Sequence, residues 1–443
     1  MRPAAFNIAG AGLAGSLLAL LLARRGQRVH LIERRPDPRA AAGEDGRSIN
    51  LALAARGIGA LERAGLMGKV APLLIPMRGR MVHEPPAASR LLPYGQHPAE
   101  VIHSIGRAAL NRLLIEEAAR HPNVTLEFDA ACRLDTAAGR LRVQRADGER
   151  ALPPAAVIAC DGAGSTLRAA LAAAGHVGVR EEPLEHGYRE LRIPPRAGDF
   201  ALEPHALHIW PRHGFMLIAL PNPDRSFTAT LFLPRTGAVS FQALATDAAV
   251  QRFFAEEFPG AAELIPDLLP QWRARPLGHL GTVHARPWHH RGVLLLGDAA
   301  HAIVPFHGQG MNAAFEDCML LDDLLAEEPL SWDEVCARFE ARRRPDAEAI
   351  AQMALENYAE MRSRVLDGKF LWQKELALEL ERRFPHRFIP RYAMVMFHPE
   401  IPYAEALRRG AVQQRILDEL HARRLPSGQA DYALAQQLVE ERL

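Results

Sequence analysis

The chain has 443 residues, of which 48% are hydrophobic and 24% charged, and it carries a formal net charge of +1. That length exceeds one core, so two or three packed units are expected, with the composition of an ordinary globular protein. A charge this close to zero provides no basic face for nucleic acid, and Arg342-Arg343-Arg344 lies in an acid-rich helical pattern that reads as a solvated face. The four cysteines, Cys132, Cys160, Cys318 and Cys336, form no CxxC pair and no disulfide framework. Inert thiols in a reducing compartment follow, hence a cytoplasmic location. His284, His289 and His290 lack metal-ligand spacing, so no metal is expected.

In chain order, Ala5 to Ala9 reads as a short buried strand and Leu13 to Arg25 as a helix with leucines at helical spacing. Gly26 ends that helix, and Arg28 to Glu33 is a second strand, which completes a βαβ opening. The apolar run from Ile8 to Ala23 is broken by glycines and too short to span a membrane. Pro85-Pro86 and Pro93-Tyr94-Gly95 punctuate an excursion away from the opening. A helix from Arg107 to Arg120 then leads to strands at Val124 to Phe128 and Ala156 to Cys160.

From Glu185 to about Arg275 the texture changes. Ala206 to Trp210, Phe215 to Leu220 and Ser226 to Leu233 are strand-like and separated by turn residues, which predicts a mostly antiparallel sheet of hairpins. Val293 to Leu296 returns to the buried-strand style, and Met311 to Leu325 is a helix. Beyond Trp332 the chain reads as helical, with Phe370 to Phe384 amphipathic and Ala393 to Phe397 either strand-sized or a short helical face. The expected fold is α/β, with a Rossmann-type domain in pieces (1–75, 103–184 and 281–330). An antiparallel-sheet substrate domain (76–102 and 185–280) is inserted into it, and a helical C-terminal region (331–443) follows.

Gly10-Ala11-Gly12-Leu13-Ala14-Gly15 is a GxGxxG pattern between strand and helix. Its first glycine permits the turn, the second admits a pyrophosphate, and the third allows close helix–strand packing. Glu33 ends the following strand, where a carboxylate can take both ribose hydroxyls. A second turn, Asp161-Gly162-Ala163-Gly164, lacks the third glycine, so a separate nicotinamide-binding Rossmann domain is not indicated. Asp298, directly after an apolar strand, is costly unless a ligand hydroxyl or a helix cap satisfies it. Gly308-Gln309-Gly310 allows backbone N–H groups at a helix start to face a planar ligand.

Together these motifs resemble the single-component FAD-dependent aromatic hydroxylases. The stretches "GRSINLALAARG", "IPMRGRMVH", "HSIGRAALNRLL", "HGYRELRIP", "LHIWPR", "IALPNPDRSFTATLF", "GDAAHAIVPFHGQGMNAAFEDC" and "LENYAEMR" are similar to the kynurenine 3-monooxygenase branch of that family over nearly the whole chain. The resemblance implies FAD as cofactor, with NADPH, O2 and L-kynurenine as co-substrates. It implies hydroxylation at C3 of the aromatic ring through a flavin C4a-hydroperoxide, a step of tryptophan catabolism toward pyridine nucleotides.

The cofactor residues it implies are Gly10, Gly12, Leu13, Gly15, Glu33, Arg34, Leu53, Arg107, Asp161, Asp298, Gly310, Met311 and Asn312. Arg80, Tyr94, Asn357 and Tyr392 are implied as substrate contacts, with Leu207, Ile218 and Phe232 walling the ring. Pro305, Phe306, His307 and Gln309 are placed at the catalytic centre beside the flavin. Eukaryotic members carry a C-terminal membrane segment that is not read here, so no membrane anchor is expected. Monomer and dimer both stay open. So do two other functions: a hydroxylase of another aromatic acid, and a non-catalytic flavin-binding protein.

Overall fold

Six strands lie side by side in the order His289–His290, Val293–Leu295, Ala156–Ala159, Ala5–Ala9, Arg28–Ile32 and Val124–Glu127. They come from a computed structural model that describes residues 3–40, 50–84, 89–212, 214–327, 330–362 and 367–443. Pro85-Pro86 and the start of the Gly46–Gly57 stretch fall outside the described residues. All neighbours pair in parallel except the edge strand His289–His290. Parallel strands are covered on both faces, which is why Ile8, Val157, Ile158, Val293 and Leu294 are uniformly apolar and buried. The helix Leu13–Arg24 is buried along almost its whole length, and Gly26, just past it, adopts a left-handed φ of +79°.

The chain divides into two compact units, each assembled from three segments. The first comprises residues 1–74, 105–184 and 281–351 and contains the parallel sheet. The second comprises residues 75–104, 185–280 and 352–443. The helical region expected as a separate C-terminal piece from residue 331 is therefore shared out at Ala351. The cause lies in the first turns of the long helix Trp332–Arg362. Trp332 packs edge-on against Phe6 at 5.5 Å and its indole N–H donates to the Gly292 carbonyl, while Glu340 accepts from the Trp288 backbone N–H. Those anchors tie the start of the helix to the parallel sheet.

In the second unit, the strands Gly79–Val82, Leu207–Arg212, Phe215–Pro221 and Phe227–Pro234 belong to one seven-stranded sheet. The hairpins expected there are present, but Gly79–Val82 pairs in parallel with Leu207–Arg212. Three helices, Asp247–Glu257, Pro259–Ala262 and Leu268–Ala274, also interrupt what was read as sheet alone. Phe253, Phe254 and Trp272 from these helices, with Phe258 between the first two, form a core with Leu191, Trp210, Leu217 and Leu231. A sheet with one apolar face needs a covering layer, and these helices provide it. Ala393 to Phe397 is helical, within Arg391–Phe397. No described helix is long and apolar enough to cross a membrane.

One buried carboxylate ties together three parts of the first unit. Asp317 is fully buried; it accepts from the Gly297 N–H at 3.0 Å, lies 2.7 Å from His301 Nε2 and accepts from Arg343 Nε at 2.7 Å. Burial alone would raise its pKa, but His301 and Arg343 outweigh that and hold it below the usual carboxylate range. Asp317→Ala should cost about 3–5 kcal/mol, the range for breaking a buried charged pair, as read by urea denaturation. A loss under about 1 kcal/mol would show that the network does not act as a unit.

Candidate active site

The functional turns of the first unit leave adjacent strands in register. Ala9 is paired with Ala159 and with Ile32, and Ala159 is paired with Leu295. The chain therefore leaves the sheet at one level into Gly10, Glu33, Asp161 and Gly297-Asp298. Such C-terminal strand ends are where open α/β sheets bind ligands.

Three glycines there have three different reasons to be glycine. Gly10 has φ +102°, and a Cβ on it would sit 2.4 Å from the Cys160 carbonyl oxygen. A Cβ on Gly15 would meet the Gly10 carbonyl at 1.9 Å, so helix and strand approach only because neither carries a side chain. At Gly12 an added Cβ would meet nothing within 4 Å. The open space is at the position where the sequence pattern expects a phosphate, beside the first N–H groups of the helix Leu13–Arg24.

Glu33 is buried, and its carboxylate accepts from the Ala11 N–H at 3.0 Å and from both the backbone N–H and Nε of Arg35. Burial pushes this carboxyl up, but Arg35 and Ala11 outweigh it and keep it ionised below its ordinary range. Arg35, not singled out in the sequence, thus supports Glu33, while Arg34 is exposed at the strand end. Asp161 Oδ2 caps the following helix by accepting from the Thr166 N–H; Oδ1 is buried with no partner among the described residues. An orphaned buried acceptor is costly, and a hydroxyl-rich ligand would satisfy it.

Gly297, at φ +61°, leads into a short helical turn, Asp298–His301. Asp298 is its first residue rather than the residue preceding the turn. Burial raises the Asp298 pKa, with Arg107 and His301 opposing. Arg168, which follows the Asp161-Gly162 turn, ties this turn to that one. It donates to the carbonyls of Ala299 and Ala163.

The helix Gly310–Ala326 begins with Gly310, Met311 and Asn312. The first backbone N–H groups of a helix have no intrahelical acceptor. Asn312 is fully buried, and its side chain is a strut: Oδ1 accepts from the Ala54 N–H, and Nδ2 donates to the carbonyls of Ala52 and Gly308. Its side chain fixes Gly308, which has φ +67°, so only its backbone remains to face a ligand. Gln309, His307 and Phe306 are buried and Pro305 is exposed, all within the short turn before that helix; Leu53 is fully buried and Leu13 partly so. The thiols of all four cysteines are pushed up by burial, Cys132 to about 12, which leaves them inert. The residues present fit an FAD: a glycine-lined opening at a helix start, a buried carboxylate after the second strand, an orphaned acceptor and a second helix start.

In the second unit the pleat decides which side chains share a face. Ile218 is opposite Ile209, Phe232 opposite Met216, and Leu207 opposite Arg80. With a period of two, Leu207, Ile218, Phe232 and Arg80 all stand on one face of the sheet. Trp210, Leu217 and Leu231 stand on the other face, against the covering helices.

Arg80 is buried. Nη1 donates to Glu360 Oε1 at 2.9 Å, Nη2 donates to Asn357 Oδ1 at 3.2 Å, and the guanidinium lies 5.0 Å from the Tyr392 ring centre and 5.9 Å from that of Tyr94. The two tyrosine rings stack at 5.5 Å. Burial raises both phenol pKa values, so each is a neutral hydroxyl. The structure thus brings together the four polar residues expected to contact substrate. Glu360 was missed, although its spacing three residues after Asn357 puts it on the same helical face.

A match to the FAD binding domain family spans residues 4–354. A kynurenine 3-monooxygenase of Stenotrophomonas maltophilia is 50% identical over 416 residues, covering 93% of this chain and 91% of that relative. One of Myxococcus xanthus is 45% identical over 99% of this chain and 95% of that relative. This chain belongs to the kynurenine 3-monooxygenase family. Among solved structures, Pseudomonas aeruginosa PqsL in complex with 2-aminobenzoylacetate shares the fold, with a TM-score of 0.66 at 23% identity over 81% of this chain and 97% of that one.

For a kynurenine 3-monooxygenase family member with this geometry, the glycines should separate binding from folding. Gly12→Val fills open space, so the protein should fold and remain colourless. Gly15→Ala drives a methyl into backbone and should lose the fold itself. Flavin absorbance and circular dichroism of the two purified variants distinguish these outcomes; a yellow Gly12→Val protein would contradict them.

Proposed function

We propose that the chain hydroxylates L-kynurenine at C3 of its ring to give 3-hydroxy-L-kynurenine, with NADPH and O2 as co-substrates. The observation that carries this reading is the Arg80 cluster. An aromatic amino acid needs a planar cation and neutral donors for its carboxylate, beside an apolar wall for its ring. A guanidinium offers a forked pair of donors that lysine cannot. Arg80, Asn357, Tyr94 and Tyr392 are gathered around one guanidinium, and the sheet face bearing Arg80 also bears Leu207, Ile218 and Phe232.

Gly10, Gly12, Leu13, Gly15, Glu33, Arg34, Leu53, Arg107, Asp161, Asp298, Gly310, Met311 and Asn312 would hold FAD in this reading, with Arg35 supporting Glu33. Bound FAD supplies the redox chemistry that activates dioxygen with electrons from NADPH. Backbone N–H groups at the start of the helix Gly310–Ala326 favour negative charge on a neighbouring ring. His307, Gln309, Pro305 and Phe306 would order that surface and keep water from it. The substrate's own aniline nitrogen enriches its ortho carbon, so no protein base need ionise it first. The protein's contribution is therefore orientation and dryness.

Incubation with L-kynurenine, NADPH and O2 should give a product heavier by one oxygen atom, and NADPH oxidation should be slow until L-kynurenine is added. Failure of any hydroxylated product to form in FAD-replete protein would refute the reading. Arg80→Ala should weaken L-kynurenine binding by about 2–5 kcal/mol with flavin content unchanged, and Arg80→Lys should restore only part. Near-normal affinity in Arg80→Ala would place the carboxylate elsewhere.

A further inference from the structure

Arg80 is already engaged before any substrate arrives. Its ion pair with Glu360 measures 2.9 Å, and the guanidinium is almost wholly buried. A carboxylate could take over guanidinium donors that Asn357 and the two tyrosines now share, but the positive charge of Arg80 is already balanced. A second anion entering this polar pocket would be uncompensated, which is costly where water is scarce. Hydrogen bonding and charge balance are therefore separate requirements, and the residues named so far meet only the first.

A further cation stands nearby. Lys374 is half-buried on the helix Gly368–Arg383. Gln96 donates to the Leu378 carbonyl at 2.7 Å and to the Glu381 carboxylate at 2.8 Å. Leu378 and Glu381 are four and seven residues beyond Lys374, so one helical face carries all three against the segment that follows Tyr94. In that segment the sheet register pairs Gly79 with Pro93 and Arg80 with Leu92, so the helix is bonded to the chain that continues from the strand beside Arg80. The charged groups that act on Lys374 are Arg80 from the strand Gly79–Val82, Glu360 from the helix Trp332–Arg362 and Arg90 from the strand Arg90–Pro93. Tyr94 and Tyr392 complete the surroundings of Arg80 as neutral hydroxyls. Arg90 is exposed and screened by water, so within the cluster itself two cations, Arg80 and Lys374, face one anion, Glu360, and one negative charge is lacking.

We propose that Lys374 is a further substrate-binding residue, supplying the cation that balances the substrate carboxylate while Arg80 and its neighbours supply the hydrogen bonds. This deepens the kynurenine reading and rests on it. The site then has a built-in pH limit. Burial, reinforced by the charges of Arg80 and Arg90, pushes the Lys374 ammonium down to about 8. The charged form is present below that pH and lost above it, so carboxylate affinity falls as the pH rises through about 8. A bound carboxylate favours the ammonium, and binding above that pH takes up a proton.

The test uses FAD-loaded protein and aminobenzoylpropionate, which is kynurenine without its amino group, so that no ligand group titrates near Lys374. Its dissociation constant is measured by calorimetry between about pH 7 and about pH 9.5. The wild-type constant should rise by up to about tenfold per pH unit above about 8. Lys374→Met should bind more than about tenfold more weakly at neutral pH and lose the pH dependence, as expected for a charged partner removed from a buried pair. Lys374→Arg should bind tightly with a flat profile across the range, a rescue that a purely structural role would not produce. Wild-type affinity that stays flat to about pH 9.5, or a Lys374→Met protein within about twofold of wild type at neutral pH, would overturn the proposal. Flavin content and circular dichroism identify any variant that misfolds, and Lys374→Arg then decides by its pH profile. If wild-type protein binds the analogue but gives no hydroxylated product from L-kynurenine, the reading of the reaction fails instead.

Discussion

The common level at which neighbouring parallel strands end is the constraint on which the cofactor-binding residues depend. Ala9, Ile32, Ala159 and Leu295 are linked by one register, and the chain beyond each carries a residue with binding chemistry. Gly10 and Gly15 allow the strand, the turn and the helix to touch, and the crossing at Cys160 leaves no room for a side chain on Gly10. A slip of one residue in any of these strands would turn its side chains to the opposite face and move its terminal turn out of line. Asp317 and Arg168 then brace the turns from behind, at Gly297 and between Ala163 and Ala299. Rigidity at Gly297 rests on a buried charge, Asp317, that is paired with His301 and Arg343.

The second unit solves a different problem with a simpler rule. Its sheet alternates, so one set of residues packs against helices and the other set, which includes Arg80, is the one proposed to face substrate. Arg80, buried on that second face, would be prohibitively costly alone. Glu360, Asn357 and the faces of Tyr94 and Tyr392 make it tolerable, and they also narrow what it can accept. A guanidinium whose charge is already matched selects ligands by hydrogen-bond geometry, and leaves net charge to a residue farther out. Lys374, displaced by burial into the range of physiological titration, is suited to that part.

Much of this was legible because local rules carried it. The GxGxxG spacing, the buried strands near Ala5, Ala156 and Val293, and the helix after Gly310 are short-range signals that tertiary context did not override. The three helices between Asp247 and Ala274 were lost because turn-rich strands on either side dominated the reading, although Thr246 caps the first of them. The helix Ala55–Arg63 and the meander Ala131–Asp135, Arg140–Arg145 and Gly148–Ala151 were likewise not read. At the site, the residues proposed to contact ligands stood out by motif, while Arg35, Glu360 and Lys374 did not. Each acts on a partner far away in sequence or off the motif, and pairings such as Arg80 with Glu360 exist only once the chain has folded. Asn312 shows the converse: a residue found by motif whose side chain turns out to hold the backbone.

Hydrogen exchange on FAD-loaded and FAD-stripped protein tests most directly whether the common strand edge is the cofactor cradle. New protection on loading should concentrate in the backbone from Gly10 to Ser16, at Glu33 to Arg35, from Asp161 to Arg168, from Gly297 to His301 and from Gly308 to Ala313. The meander from Ala131 to Ala151 should change little. Protection spread evenly through the first unit, or centred on the meander, would contradict the account.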